Sequence, residues 1–432
     1  MGDHRTFKYG LFLLAGAAAL GVSGNRRARR AALRGAGSMA LASAACAATG
    51  ASAAGPAATA AAFTAGVALE SPRLGAVLAP VVAGVAAARS RNGSQGFGRV
   101  LTGVAVGAGV AGATCRWWPL YRDEPADTAR PVIAVPALPA GRGLVLVVNG
   151  DAGGDTPAEV ELRSLLPEAD LRLCAAGDDL QTVFDRAVKD VLTDGGALGV
   201  AGGDGTVNTA ATLAAENGLP LAVFPAGTLN HFAADLGLPT LASAAEAVEA
   251  GHGGAVDLGR VSGAGSHTYF LNTFSIGVYP ELVRAREARE SRLGKWPALC
   301  TGLVRVLAEG TPNEVTVDGK RRLVWLLFAG NSRYDPPGFA PSYRRSLDDG
   351  LLDLRIVDGS HPFARTRLVA AFLTGTLTRS RVYQATTATR IEIGGVGEEG
   401  DYSRDGEVSP ASDELVVDKL ARALTVYLPV PQ

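Results

Sequence analysis

Three glycine-containing stretches hold the residues best suited to chemistry in this 432-residue chain: 149-NGDAGG-154, 202-GGDGTVN-208 and 225-PAGTLNHFAADLG-237. Each follows or closes a short apolar run that reads as a buried strand: 144-LVLVV-148, 197-ALGVA-201 and 219-LPLAVFP-225. In open α/β sheets, ligands bind at the carboxyl ends of the strands. Glycines there let backbone N–H groups come close to a phosphate, and a following helix N-terminus adds partial positive charge. Thr206 and Thr228 offer hydroxyls, and Asn208 and Asn230 offer amide donors. Asp204 is the acid placed to hold Mg2+ or to orient a phosphate-bound water. A single glycine turn is most often a plain connection, but three in register after three strands make that reading the minor one. The loops are neither GxxxxGK[ST] nor the dinucleotide GxGxxG pattern.

The surrounding elements must hold these loops in register. Helical patterns cover 158–166, 179–193 and 207–217, and a further strand covers 171–176. Strands alternating with helices predict an α/β domain with a largely parallel sheet. After about residue 256 the rhythm changes to strand-like runs at 268–276, 313–319, 323–330, 351–359, 386–395, 414–419 and 423–429. Helices near 280–309 and 362–375 interrupt them. A second, mostly antiparallel β-sandwich domain is expected. The domain boundaries are therefore 143–256 for the α/β nucleotide-binding domain and 257–432 for the β domain, after a Pro-rich linker over 119–142.

The N-terminal 118 residues differ from the rest. Residues 1–120 hold 12 Lys/Arg against 2 Asp/Glu, whereas the remaining chain holds 29 against 40. The basic residues flank Ala- and Gly-rich apolar runs near 9–24, 38–54, 57–69, 74–88 and 100–115, a pattern that suits a membrane better than a nucleic acid. Three to five membrane helices packed through small residues are expected. One signal anchor followed by an Ala-rich segment is the alternative. The positive-inside rule puts the Arg26–Arg34 cluster in the cytoplasm, while Arg89, Arg91 and Arg99 leave the topology open. The four cysteines, Cys46, Cys115, Cys174 and Cys300, form no CxxC pair, which fits a reduced environment and indicates neither zinc nor a disulfide scaffold.

GGDGTVN followed by PAGTLNHFAADLG resembles the catalytic family of diacylglycerol kinases, which includes bacterial lipid kinases and sphingosine kinases. The resemblance covers about 143–432, and the paired motifs are far more specific than GGDG alone, which NAD kinases and phosphofructokinases share. It implies ATP and Mg2+ as cofactors, an ATP site between the two domains, and phosphoryl transfer to a lipid hydroxyl. Carried over by position, Asn149, Gly150, Asp151, Ala152, Gly153, Gly202, Gly203, Asp204, Gly205, Thr206, Val207 and Asn208 contact the nucleotide, with Thr228 beside the phosphates and Asn230 in the same loop. The first loop departs from the family's N-P-x-S-G, and His231 stands where many relatives carry Asp. The stretch 346-SLDDGLL-352 resembles the family's structural Mg2+ loop, with Asp349 supplying a carboxylate and Ser346 and Leu351 backbone carbonyls. The stretch 405-DGE-407 resembles the acidic element facing ATP, which makes Asp405 or Glu407 the general base; Asp204, in its own loop, is the other catalytic candidate.

Residues 55–80 and 88–107 resemble the membrane core of PAP2-type lipid phosphatases. The five histidines are His4, His231, His252, His267 and His361, so no histidine can act as nucleophile between residues 5 and 230. The region reads as a degenerate, non-catalytic anchor. The combined expectation is a lipid kinase at the cell membrane with its kinase part in the cytoplasm, a membrane lipid as partner and substrate, and no nucleic-acid partner. A homodimer stays open. A soluble-substrate kinase of the NAD kinase kind, or a lipid-binding regulator without turnover, are the alternatives.

Overall fold

The computed structural model describes residues 26–48, 55–80, 97–115, 126, 133–150, 158–175, 177–227, 230–277, 312–335, 343–373, 376–397 and 400–429. The chain divides into two compact units, Met1–Arg122 and Asp123–Gln432.

The first unit contains helices α1 (Arg26–Ala48), α2 (Gly55–Glu70) and α3 (Phe97–Thr114), which pack on one another. Small residues set their spacing: a Cβ on Gly107 would lie 2.1 Å from the carbonyl oxygen of Ala58. Ala31, Ala60, Phe63 and Val67 form the apolar centre. Beside it Arg34, fully buried, pairs with the buried Glu70 at 2.8 Å and donates to the Thr114 hydroxyl at 2.9 Å. A buried charge needs such a partner, since an isolated one is strongly unfavourable.

The expectation of several membrane helices finds no support among the described residues. No helix among the described residues is long and apolar enough to cross a membrane. Helix α2, at 16 residues, spans about 24 Å against the roughly 30 Å of a hydrocarbon core. Helix α1 is longer, but its first turns carry Arg26, Arg27, Arg29, Arg30 and Arg34. The apolar run at 9–24 lies outside the described residues.

In the second unit, strands β1 (Leu144–Asn149), β2 (Asp170–Cys174), β3 (Ala197–Gly202) and β4 (Leu221–Pro225) form a parallel sheet in the order β2-β1-β3-β4. The first five residues of β1 and all of β3 are buried, as uninterrupted apolar strands between helical layers must be. Helices α4 (Ala158–Leu165), α5 (Leu180–Asp194), α6 (Asp204–Asn217), α7 (His231–Asp235) and α8 (Leu241–Ala250) follow the strands. Their ends are marked in the sequence. Asp179 caps α5, a Thr240–Ser243 capping box opens α8, and left-handed Gly218 and Gly251 close α6 and α8.

The sheet-rich part contains β5 (His252–Gly263), β6 (Ser266–Phe270), β7 (Thr273–Gly277), β8 (Asn313–Val317), β9 (Lys320–Asn331), β10 (Leu352–Asp358), β11 (Tyr383–Ala388), β12 (Arg390–Gly394), β13 (Asp401–Arg404), β14 (Glu407–Pro410) and β15 (Glu414–Tyr427), with helix α9 (Ala364–Leu373) after β10. One antiparallel leaf runs β11-β10-β9-β7-β13-β14 and the other β8-β12-β15-β5-β6, joined where the first half of β9 pairs with β8. Phe274, Leu327 and Leu354 of the first leaf meet Val261, Ile393 and Val417 of the second in one core. The helix expected near 280–309 lies outside the described residues.

Strand β15 ties the two parts together. It pairs antiparallel with β5 over most of its length, and Val426 then adds parallel to Leu221 at the edge of the α/β sheet. The runs read as separate strands at 414–419 and 423–429 are thus one strand with an irregularity between Leu420 and Leu424, where Arg422 takes a positive φ of 53°.

Candidate active site

The glycine motif is more helical than its composition implies. Gly202 ends β3, Gly203 is extended, and α6 already begins at Asp204. Gly203 offers no capping side chain, so the first-turn amides of α6 are without a side-chain cap from it. The next glycine loop packs directly on this turn. Gly227 N–H donates to the Gly202 carbonyl at 3.1 Å, and a Cβ on Gly227 would lie 2.4 Å from the Gly203 Cα. Only two glycines permit this backbone-to-backbone approach.

Most of the described polar side chains expected to meet a ligand hold the loops to one another. Asn149 donates to the Thr206 hydroxyl at 3.0 Å, which joins the end of β1 to α6. One Asp204 carboxylate oxygen accepts the His231 N–H at 2.8 Å and so caps α7. Asn230, in a left-handed conformation, exchanges two 2.8 Å bonds with the backbone of Gly227. Val207 is in the apolar core, and Gly150 N–H donates to the Cys174 carbonyl at 2.9 Å. Asp151, Ala152, Gly153 and Thr228 lie outside the described residues.

The DGE element is the tip of the β13–β14 hairpin. Arg404 and Glu407 are paired across it, and Asp405 and Gly406 both have positive φ, 47° and 90°. This is the two-residue turn for which Asp-Gly is favoured. The two acids diverge sharply in what they touch. The Asp405 carboxylate accepts the backbone N–H groups of Leu271, Asn272 and Thr273 at 2.7–2.8 Å, and also the side-chain amide of Asn208. Burial of the carboxyl pushes its pKa up, and these four donors oppose that shift by favouring the charged form. Glu407 is exposed, with Arg404 at 3.5 Å. A Cβ on Gly205 would lie 2.8 Å from Oε1 of Glu407. The hairpin therefore brings a solvent-accessible carboxylate onto the first turn of α6.

Two arginines also belong to the site. Arg404 lies beside both Glu407 and Asn208, and its buried Nε has no hydrogen-bond partner among the described residues. Arg344, fully buried, donates to Asp235 at the end of α7, to the carbonyls of Leu271 and Asn331, and to the Asn272 side chain. It thereby fixes the same 271–272 backbone that Asp405 grips from the other side. Neither arginine sits in a recognisable motif. The only available signal was an arginine next to each acidic stretch.

The candidate metal loop, 346–351, is also organised internally. Asp349 accepts the N–H groups of Leu351 at 3.0 Å and Arg333 at 2.9 Å, the Leu351 carbonyl accepts Ser332 N–H at 3.0 Å, and the Ser346 hydroxyl donates to Asp348. The ammonium of Lys419 lies 3.8 Å from Asp349 and 3.2 Å from Asp257. Burial lowers the Lys419 pKa to about 8, and the neighbouring Asp257 and Asp349 work against that shift. Among the described residues no group of three or more His, Cys, Asp or Glu side chains could hold a metal ion. A second cation brought beside the Lys419 ammonium would be repelled by it, by about 4 kcal/mol for unit charges 4 Å apart at an effective dielectric near 20.

Residues 143–261 match the diacylglycerol kinase catalytic domain. Over 218 residues, 48% of this chain and 69% of the relative, the chain is 31% identical to a diacylglycerol kinase of Bacillus subtilis (strain 168). The chain belongs to the diacylglycerol kinase family. A diacylglycerol kinase of Mycobacterium tuberculosis (strain CDC 1551 / Oshkosh) is 30% identical over 187 residues, 41% of this chain, and the chain spans only 59% of that relative. A solved structure of a diacylglycerol kinase from Bacillus anthracis str. Sterne is 22% identical, covers 67% of this chain and 97% of its own, and gives a TM-score of 0.47. The family match lies wholly within the second unit, and the resemblance of residues 55–80 and 88–107 to a PAP2-type phosphatase finds no support.

Proposed function

We propose that this chain is an ATP-dependent lipid kinase that transfers the γ-phosphoryl group to a lipid hydroxyl, with diacylglycerol or a related lipid as acceptor. The observation that carries this reading is the meeting of Glu407 with Gly205, an exposed carboxylate against the first turn of a glycine-led helix.

Mg2+ bound with ATP would offset the negative charge of its phosphates. The backbone N–H groups at the start of α6, between the Gly202–Gly203 and Gly227 turns, hold the phosphates. In the reaction, the lipid oxygen bonds to the γ-phosphorus in line as the bond to the β–γ bridging oxygen breaks, and ADP leaves. The hydroxyl proton passes to Glu407. Such a transition state spreads charge over the phosphoryl oxygens, so catalysis is mostly positioning and electrostatics. The Arg404 guanidinium, with its free Nε–H, adds positive charge beside Glu407. Asp405 is the positioning residue, because its carboxylate is already taken by four donors. Asp204 fixes the α7 loop through His231, and its other oxygen would hold the metal that accompanies the nucleotide.

Because the acceptor is a lipid, the enzyme works at a membrane surface. We place it on the cytoplasmic face of the cell membrane. Exposed Leu33, Leu41, Val77, Leu101 and Val106 of the N-terminal unit support that location. The test incubates the full chain with labelled ATP and a panel of lipid vesicles and identifies products by mass spectrometry. A phosphorylated lipid is expected; turnover only on a soluble acceptor, or none, contradicts the reading.

A further inference from the structure

We infer that the ammonium of Lys419 is the cation around which the 346–351 loop is built, so that this chain holds its acid loop without a metal ion. Lys419 extends from β15 just before the irregularity at Leu420–Leu424, and its side chain is only 1% exposed. Its ammonium has three N–H donors. It donates to the Asn331 side-chain oxygen at 2.6 Å and the Ser332 hydroxyl at 3.0 Å, and it lies 3.2 Å from Asp257. Asp349 stands 3.8 Å away as a second negative charge. Oxygens from β5, from the end of β9 and from the acid loop thus converge on one positive charge supplied by β15.

Both carboxylates beside the loop already accept backbone N–H groups on each oxygen. Asp257 accepts Gly350 N–H on one oxygen and Arg422 N–H on the other, both at 2.8 Å. Asp349 accepts Leu351 N–H and Arg333 N–H. Hard oxygen ligands are what Mg2+ and Ca2+ prefer, and a compact, strongly hydrated lysine ammonium satisfies the same kind of oxygen cluster with a fixed covalent tether. The positive φ of Arg422 belongs to this arrangement, since it turns the Arg422 N–H toward Asp257 while Lys419 reaches the other carboxylate oxygen.

The test uses the full chain without nucleotide, so it does not depend on catalysis. Wild-type protein treated with a chelator and then returned to buffer with or without Mg2+ should show one unfolding midpoint under all conditions. Elemental mass spectrometry should find no stoichiometric divalent metal. Lys419→Met keeps the chain length but leaves Asp257 and Asp349 without their cation. Its midpoint should fall, and Mg2+ or Ca2+ should recover part of the loss, a response absent from wild type. A wild-type midpoint that drops on chelation, or one tightly held metal ion per chain, overturns the inference. So does a Lys419→Met protein that keeps the wild-type midpoint or falls without any response to metal. If that variant does not accumulate, the wild-type measurements decide alone.

Discussion

The side-chain amide of Asn208 donates to the carboxylate of Asp405, joining the helix that opens in GGDGTVN to the turn of DGE, 197 residues later. The two motifs form one site because of that bond and of the three backbone N–H groups on the same carboxylate. Asp405 and Glu407, adjacent to one glycine and alike in charge, consequently have different work.

Glu407→Gln should lower the rate of lipid phosphorylation by roughly 10²–10⁴-fold, the range of a general base, while stability changes by less than about 0.5 kcal/mol. Steady-state rates and thermal unfolding of the same preparation check both halves.

Asp405→Asn should act first on stability. The new amide group can accept fewer of the Leu271, Asn272 and Thr273 N–H donors, and a buried donor left without an acceptor costs about 1–3 kcal/mol. Denaturant unfolding should show the loss, with residual activity following the folded fraction.

Gly227→Ala places a Cβ 2.4 Å from the Gly203 Cα, a contact that only backbone movement relieves. A destabilisation of about 1–3 kcal/mol is expected, together with weakened ATP binding in a calorimetric titration. Gly218→Ala is the comparison: its Cβ meets nothing within 4 Å, and only the positive φ of 64° opposes it. Its cost should be about 1–2 kcal/mol, with ATP binding retained.

Arg344→Met removes the partner of Asp235 and three further hydrogen bonds while keeping an apolar stem in the space. Breaking a buried ion pair from one side costs about 3–5 kcal/mol, so the unfolding midpoint should fall by more than for any variant above. Thermal unfolding in chelator measures it without interference from metal binding.

The strands β1, β3 and β4 were legible because each is an apolar run closed by a glycine or proline turn. The capped helices α5 and α6 were legible from their periodicity. The β13–β14 hairpin was recognised only by its DGE tip, because its strands carry few apolar residues. The roles of polar residues were the least legible. Asn208 and Asn230 have the composition of ligand donors, and nothing in their local sequence announces their pairing with Asp405 and Gly227. The cation beside the acid loop, Lys419, lies 70 residues downstream of Asp349 in an ordinary strand sequence. Long-range charge pairing leaves no local pattern. The Ala-rich N-terminal runs match two patterns at once, since packing through small residues serves a helical bundle as well as a membrane.

The most direct measurement is the initial rate of label transfer from ATP to diacylglycerol in mixed vesicles, for wild type and Glu407→Gln side by side. Wild type should produce phosphorylated lipid, and Glu407→Gln should lose at least about 10²-fold of that rate while unfolding at the same temperature. Equal rates for the two proteins, or no phosphorylated lipid from wild type, would contradict the account.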